Sequence, residues 1–213
     1  FKASLPILGT VSGQYVPKAD ASESADKTAS GDTAANVGSG MELVVKTAMG
    51  DLPVVGSFLG GNTLTLGYAE EEVNTVTNTS DRLEATVALT GSYGNFSYGY
   101  QVEHIDLGQT AATTDALFYN VESIGLAYAV NDALSISYSK EKSTEKKYGA
   151  ANNAAAGGSP FTRTETDFES TFLMLAYDIG GATVGLTSIE SSNSGYSSGA
   201  DTTKTLATLS MAF

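Results

Sequence analysis

The sequence predicts an all-β fold of about eleven antiparallel strands, and three features of the chain lead to that prediction. Apolar and polar residues alternate with a period of two over most of the 213 residues, as they do when successive side chains of a strand point to opposite faces of a sheet. The segments between the alternating stretches are rich in Gly, Asn, Asp and Ser, which favour turns. No apolar run approaches the roughly 18 residues that a membrane-spanning helix needs.

The first half of the chain contains six of the predicted strands. Two short ones lie within residues 1–17, and a long polar loop over residues 18–40 separates them from the others. Residues 50–61 fit either an extra strand or an apolar connection, and residues 71–81 form a second polar loop. A tight turn at 92–95 joins the last two strands of this half. The four longer alternating stretches are residues 41–49, 62–70, 82–91 and 96–104.

The second half contains the other five predicted strands. The stretch from Phe168 to Asp178 is apolar on both faces, so alternation alone does not assign its faces. The closing strand places Leu209 and Phe213 on an apolar face and Lys204 and Ser210 on a polar one, with Leu206 as an apolar exception. The predicted strands are residues 119–130, 134–138, 168–178, 182–190 and 203–213. Tight turns are predicted at 131–132 and 179–181, and long polar loops at 106–117, 142–166 and 191–202.

Tight and long connections alternate along the chain, except that the connection at residues 50–61 is long where a short one is expected, and this alternation favours a transmembrane β-barrel. Such barrels have short turns at one end and long loops at the other, whereas nothing forces one end of a soluble sandwich to be short. A closed antiparallel sheet also gives every backbone polar group a partner inside a bilayer. The apolar face is therefore predicted to contact lipid, with tyrosines near strand ends at the headgroup level: Tyr68, Tyr128, Tyr138 and Tyr177.

Several segments carry a resemblance to a known family. They are G-S-Y-G (91–94), G-L-A-Y-A-V-N-D (125–132), L-S-I-S-Y (134–138) and the closing T-L-A-T-L-S-M-A-F (205–213). Together they resemble the general diffusion porins of Gram-negative bacteria, which form antiparallel barrels of sixteen strands and associate as trimers. An odd number of strands cannot close an all-antiparallel barrel. The chain is therefore predicted to be the C-terminal two-thirds of such a porin, a single barrel domain over residues 1–213 whose first strands and constriction loop are missing.

The resemblance implies a function, a location and partners. It implies passive diffusion of ions and small hydrophilic solutes through a water-filled channel in the outer membrane, with the long loops outside the cell. The surroundings would be outer-membrane lipid and lipopolysaccharide, and the assembly a homotrimer. In this family the terminal aromatic residue belongs to the membrane assembly signal, and Phe213 occupies that position.

Composition argues against an enzyme and against several kinds of partner. The chain has no Cys, which excludes thiol catalysis and Cys-ligated metals, and its single histidine, His104, is expected to be a solvated residue at a strand end. The acidic clusters at 70–72 and around Asp106 and Asp115 lack the spacing of a calcium loop. A net charge of −13 disfavours nucleic acid. No cofactor or metal is predicted.

Six polar residues on the polar faces of their strands are predicted to line the pore, where charged side chains set the ion preference. The excess of acids predicts a mild preference for cations, and Arg82 and Lys204 fit equally well at the external rim. Two other hypotheses remain open: an adhesive or structural surface protein, and a soluble β-sandwich binding module. The six residues are Lys46, Arg82, Glu84, Gln101, Glu103 and Lys204.

Overall fold

The computed structural model describes residues 1–5, 9–17, 37–53, 59–73, 81–108, 116–148 and 163–211. Within these ranges the chain forms one antiparallel sheet in which each strand pairs with its neighbours in sequence. The prediction of an all-β chain with about eleven strands is confirmed. The eleven strands are β1 (Lys2–Leu5), β2 (Gly9–Val16), β3 (Val37–Ala48), β4 (Asn62–Val73), β5 (Arg82–Tyr93), β6 (Phe96–Asp106), β7 (Ala116–Ala129), β8 (Leu134–Tyr148), β9 (Arg163–Asp178), β10 (Ala182–Ser192) and β11 (Thr202–Met211).

Several strands extend into segments that were predicted to be loops. The largest difference concerns residues 142–148 and 163–166, which are paired strand in β8 and β9 and not part of a loop over 142–166. Smaller extensions occur at residues 37–40, 71–73, 92–93, 106, 116–117, 191–192 and 202. The extensions are rich in charged and polar side chains, which sequence patterns associate with loops. These residues are nevertheless strand because they pair with the neighbouring strands, and the backbone hydrogen bonds of a ladder do not depend on side-chain polarity.

The ambiguous segment at 50–61 contains no strand in its described part. Residues Met49–Asp51 form a 3-10 helix, which leads from β3 towards β4. The rest of the predicted loop over 18–40 and the terminal Phe213 lie outside the described residues.

The three tight connections are confirmed. Gly94, with a φ of 57°, turns the chain between β5 and β6. Asn131 accepts hydrogen bonds through its side-chain oxygen from the N–H groups of Ala133 and Leu134, both at 2.9 Å, which is an Asx-type turn. Between β9 and β10 the chain turns through Gly180 and Gly181, whose φ values of 80° and 86° favour glycine.

The sheet is open. Within the described residues β1 pairs only with β2, and β11 only with β10. The described strands therefore do not form a closed barrel by themselves, and closure with further strands stays a prediction. Because neighbouring strands are antiparallel throughout, β1 and β11 run in the same direction.

The sheet has no apolar core of the kind found in a soluble domain. In the described part of the chain Leu117, at 6% exposure, is the one buried hydrophobic residue. Large apolar side chains lie exposed instead, including Val87 at 44% and Leu209 at 60%. These strands form one sheet and not two facing sheets, so the packing expected of a β-sandwich is not found among them.

Candidate functional site

One face of the sheet carries most of the small and polar side chains of the eleven strands. The register aligns a row of residues that lie opposite one another from strand to strand, and ten of its eleven members are polar. We call the face that contains this row the polar face and the opposite face the outer face. The row consists of Ser4, Thr10, Lys46, Thr65, Ala88, Gln101, Ser123, Glu141, Ser170, Ser191 and Thr202.

All six residues predicted to line a pore lie on the polar face. Lys46 and Gln101 belong to the aligned row, and the other four are an even number of residues from it along their strands. Arg82 is the first residue of β5, and its Nη1 atom lies 3.6 Å from Oε2 of Glu71 on the same face. The register therefore places all six predicted residues on one face. That these six residues line a water-filled pore stays a prediction.

The acids of the polar face lie towards the ends of the strands that lead to the long connections. Glu84 and Glu103 are diagonal neighbours on β5 and β6, and Glu141 lies two strands further along. Glu145 is buried and lies 2.9 Å from the Lys147 ammonium, and it accepts a hydrogen bond from the Tyr119 hydroxyl at 3.3 Å.

Sequence reasoning missed Glu141 and Glu145 because it ended β8 too early. The signal was present: from position 140 to position 146 lysine or threonine occupies every even position, and glutamate or serine every odd one. This is a period-two pattern made of charges and hydroxyls, without apolar residues, and it still predicts a strand.

The polar face is interrupted on β9, β10 and β11. Phe172 lies opposite Ile189, and Met174 lies opposite Thr187, whose partner on β11 is Leu206. These apolar side chains form a patch among hydroxyl groups. Pairing with β8 and β10 also assigns the faces of β9, which alternation left open: Leu173, Leu175 and Tyr177 lie on the outer face.

The outer face divides into an apolar band and a charged band. The apolar band lies nearer the tight turns, and the charged band occupies the far ends of β7 to β9, where the strands extend towards the long connections. Side chains in the apolar band include Leu66, Val87, Tyr100, Leu126, Ile136, Leu175, Leu186 and Leu209. The charged band contains Glu122, Lys140, Lys142, Lys146, Glu165, Asp167 and Glu169.

Cross-strand ion pairs organise the charged band. The Lys140 ammonium lies 2.8 Å from the Glu169 carboxylate, and the Lys142 ammonium lies 2.8 Å from the Asp167 carboxylate. Hydrogen bonds from Lys142 and from the Thr144 hydroxyl hold the pKa of Asp167, which lies beyond the apolar band, below its usual range. The pairs are solvated, so they contribute little stability individually.

Two tyrosines of the outer face point their hydroxyls towards carboxylates on the side of the long connections. The Tyr68 hydroxyl donates a hydrogen bond to Glu70 of the same strand at 2.7 Å, and the Tyr100 hydroxyl donates one to Glu122 of the charged band at 2.9 Å. Each ring is therefore directed with its polar tip away from the middle of the apolar band. Four tyrosines were predicted to lie near strand ends, and Tyr128 and Tyr177 lie next to the last residues of β7 and β9. Tyr68 and Tyr138 lie within β4 and β8 because those strands are longer than predicted.

The single histidine is on the outer face. His104 Nδ1 lies 2.6 Å from the side-chain oxygen of Asn120, and the imidazole packs against Phe118 with ring centroids 5.1 Å apart. In the described ranges no group of three His, Asp or Glu side chains is arranged to hold a metal ion. No helix among the described residues is long and apolar enough to cross a membrane.

Comparison of the chain with protein families, curated proteins and solved structures found no match.

Proposed function

We propose that the chain forms part of the wall of an outer-membrane channel through which ions and small hydrophilic solutes diffuse passively. The observation that supports this proposal most directly is a distribution of side chains opposite to that of a soluble domain. The apolar residues of a single sheet are exposed, and the small polar ones share the opposite face. Water on both faces would leave the apolar band as an unusually large exposed patch. Lipid against the outer face and water against the polar face remove that conflict.

The position of the apolar band supports the proposal independently. The middle of the band lies near Val87 on β5 and near Leu175 on β9. When paired residues are followed from β5 to β9, the middle of the band on β9 lies six residues nearer the tight turns than the residue aligned with Val87. Six residues of about 3.4 Å each, over four strand spacings of about 4.8 Å, correspond to strands tilted by about 45° to the band. Transmembrane barrels have strands tilted by about this angle to the membrane normal.

The two open edges of the sheet need further strands if the sheet is to lie in a membrane. In a bilayer the free N–H and C=O groups along β1 and β11 need partners. Since β1 and β11 run in the same direction, an odd number of further strands between them would complete an all-antiparallel barrel. The proposal therefore includes strands beyond the described ones. It also includes a homotrimer in lipid and lipopolysaccharide, with long loops outside the cell and Phe213 as an assembly signal. These features rest on the resemblance to porins.

The experiment that tests the proposal uses two neighbouring residues of β7. The chain contains no Trp, so a single Trp reports one position without background. Leu126→Trp places the indole on the outer face, and Ala127→Trp places it on the polar face of the same strand. The protein is reconstituted in vesicles together with the further strands that the proposal requires, and there brominated lipid should quench the first indole and aqueous iodide the second. Planar bilayers containing the same protein without either substitution should conduct ions.

Two results would contradict the proposal. Equal quenching of both indoles by lipid and by iodide would mean that the two faces do not meet different environments. Absence of ion conductance would exclude a channel and leave a surface protein as the alternative.

A further inference from the structure

The connection between β10 and β11 folds over the polar face. Residues 193–201, which we call the β10–β11 loop, contain a 3-10 helix at Ser194–Tyr196. The Tyr196 hydroxyl forms a hydrogen bond of 2.7 Å with the Ser143 hydroxyl of β8. Its ring lies with its centroid 6.1 Å from that of Phe168 on β9 and 5.3 Å from that of Tyr119 on β7. The three partners all lie on the polar face.

Tyr196 thus reaches three strands away from β10. Strands in a sheet are about 4.8 Å apart, so the loop covers a width of roughly 14 Å of the polar face. Of the five buried polar residues in the described part of the chain, three lie on the polar face of β8 and β9, which the loop crosses: Ser143, Glu145 and Ser170. The loop therefore lies against the sheet at this end of the strands and does not extend away from it.

The loop is held by contacts within itself and to the sheet. The Asn193 side chain donates a hydrogen bond to the carbonyl of Asp167 at 2.8 Å and accepts one from the N–H of Gly199 at 2.9 Å. Asn193 and Tyr196 have φ values of 52° and 55°. This left-handed conformation costs a non-glycine residue roughly 1–2 kcal/mol. It persists where surrounding contacts determine it, and here those contacts are the rings and hydrogen bonds around Tyr196.

We propose that Tyr196 narrows the channel by holding the β10–β11 loop across the polar face. This inference rests on the proposed function, since the polar face must line the water-filled path. A layer of chain packed against a sheet adds roughly 10 Å of thickness, which is a large part of the radius of a solute-conducting pore. Beside Tyr196 the structure leaves a groove of about 380 Å³ whose walls include Ile105, Val121 and Glu141.

The test compares variants that remove the same ring from different faces. Tyr196→Ala removes the aromatic contacts, and Tyr196→Gly does the same while also relieving the left-handed backbone. Tyr93→Ala is the matched control, because Tyr93 lies on the outer face beside a tight turn and is 86% exposed. Single-channel conductance and the uptake of sugars of increasing size into vesicles are measured for each. We expect both Tyr196 variants to raise conductance by about 1.5-fold or more and to admit larger sugars, because the lining and diameter of a pore decide what it passes.

A thiol probe reports the position of the loop without relying on conductance. The chain contains no Cys, so Ser143→Cys introduces a single thiol beneath Tyr196. Its reaction with a water-soluble thiosulfonate should be slow in the otherwise unaltered chain and about tenfold faster or more when combined with Tyr196→Ala, since reactivity follows access.

The outcomes separate the two proposals. If the unaltered chain conducts and the thiol becomes accessible, but conductance and sugar uptake stay unchanged, the loop does not limit size and the inference is wrong. Equal increases in the Tyr196 variants and the Tyr93 control would also refute it. If the unaltered chain does not conduct at all, the proposed function fails, and the role of Tyr196 fails with it.

Discussion

Replacing Leu175 by Arg measures directly whether the apolar band contacts lipid. Leu175 lies in the middle of that band, opposite Ile136 on β8 and Leu186 on β10, and is 40% exposed. At the midplane of a bilayer, Arg on the lipid face of a barrel costs about 2–4 kcal/mol. At an exposed site in water the same substitution changes stability by about 0.5 kcal/mol or less. Lipid contact therefore predicts a fall of roughly 30- to 700-fold in the ratio of folded to unfolded protein, at tenfold per 1.4 kcal/mol.

Ala176→Arg is the control for this measurement. Ala176 is the next residue of β9 and lies on the polar face between Ser135 and Gly185, two small residues that leave room for a longer side chain. We expect a change of about 0.5 kcal/mol or less. Equilibrium urea unfolding in phosphatidylcholine vesicles, followed by circular dichroism, gives both values. If Leu175→Arg costs no more than Ala176→Arg, the outer face is not in lipid and the reasoning fails.

Three further predictions concern other parts of the sheet. A methyl group added at Gly91 would meet the Tyr98 ring at 2.7 Å, so Gly91→Ala should destabilise the sheet by about 1–3 kcal/mol, and an unchanged thermal midpoint would contradict this packing. Lys142→Glu should lower the thermal midpoint slightly, and Asp167→Lys in the same chain should restore it at low salt but have no effect at high salt, because the pair is solvated. Glu103→Gln should reduce the preference for cations, measured as the reversal potential in a salt gradient, and a reversal potential identical to that of the unaltered chain would exclude Glu103 from the path of the ions.

The sequence was sufficient for features that depend on neighbouring residues. Strand number, the tight turns, and the shared face of Lys46, Gln101 and Glu103 all follow from a period of two and from turn residues. Alternation works because each side chain of a strand is directed by its own backbone, whatever pairs with it. The sequence also contained the signal for the end of β8, in the alternating lysines and glutamates around Glu141, but their polarity indicated a loop.

Only the tertiary structure decided how the strands relate to one another. It assigned the faces of β9 by pairing Leu175 with Ile136, and it revealed the oblique path of the apolar band. It also brought Tyr196 onto Tyr119, which is 77 residues away in the chain. No local pattern indicates such contacts, because cross-strand register and loop packing depend on which distant segments meet. The sequence by itself determined the two faces of every long strand except β9, because each side chain is directed by its own backbone, and long-range pairing determined the faces of β9 and the loop that lies across the polar face.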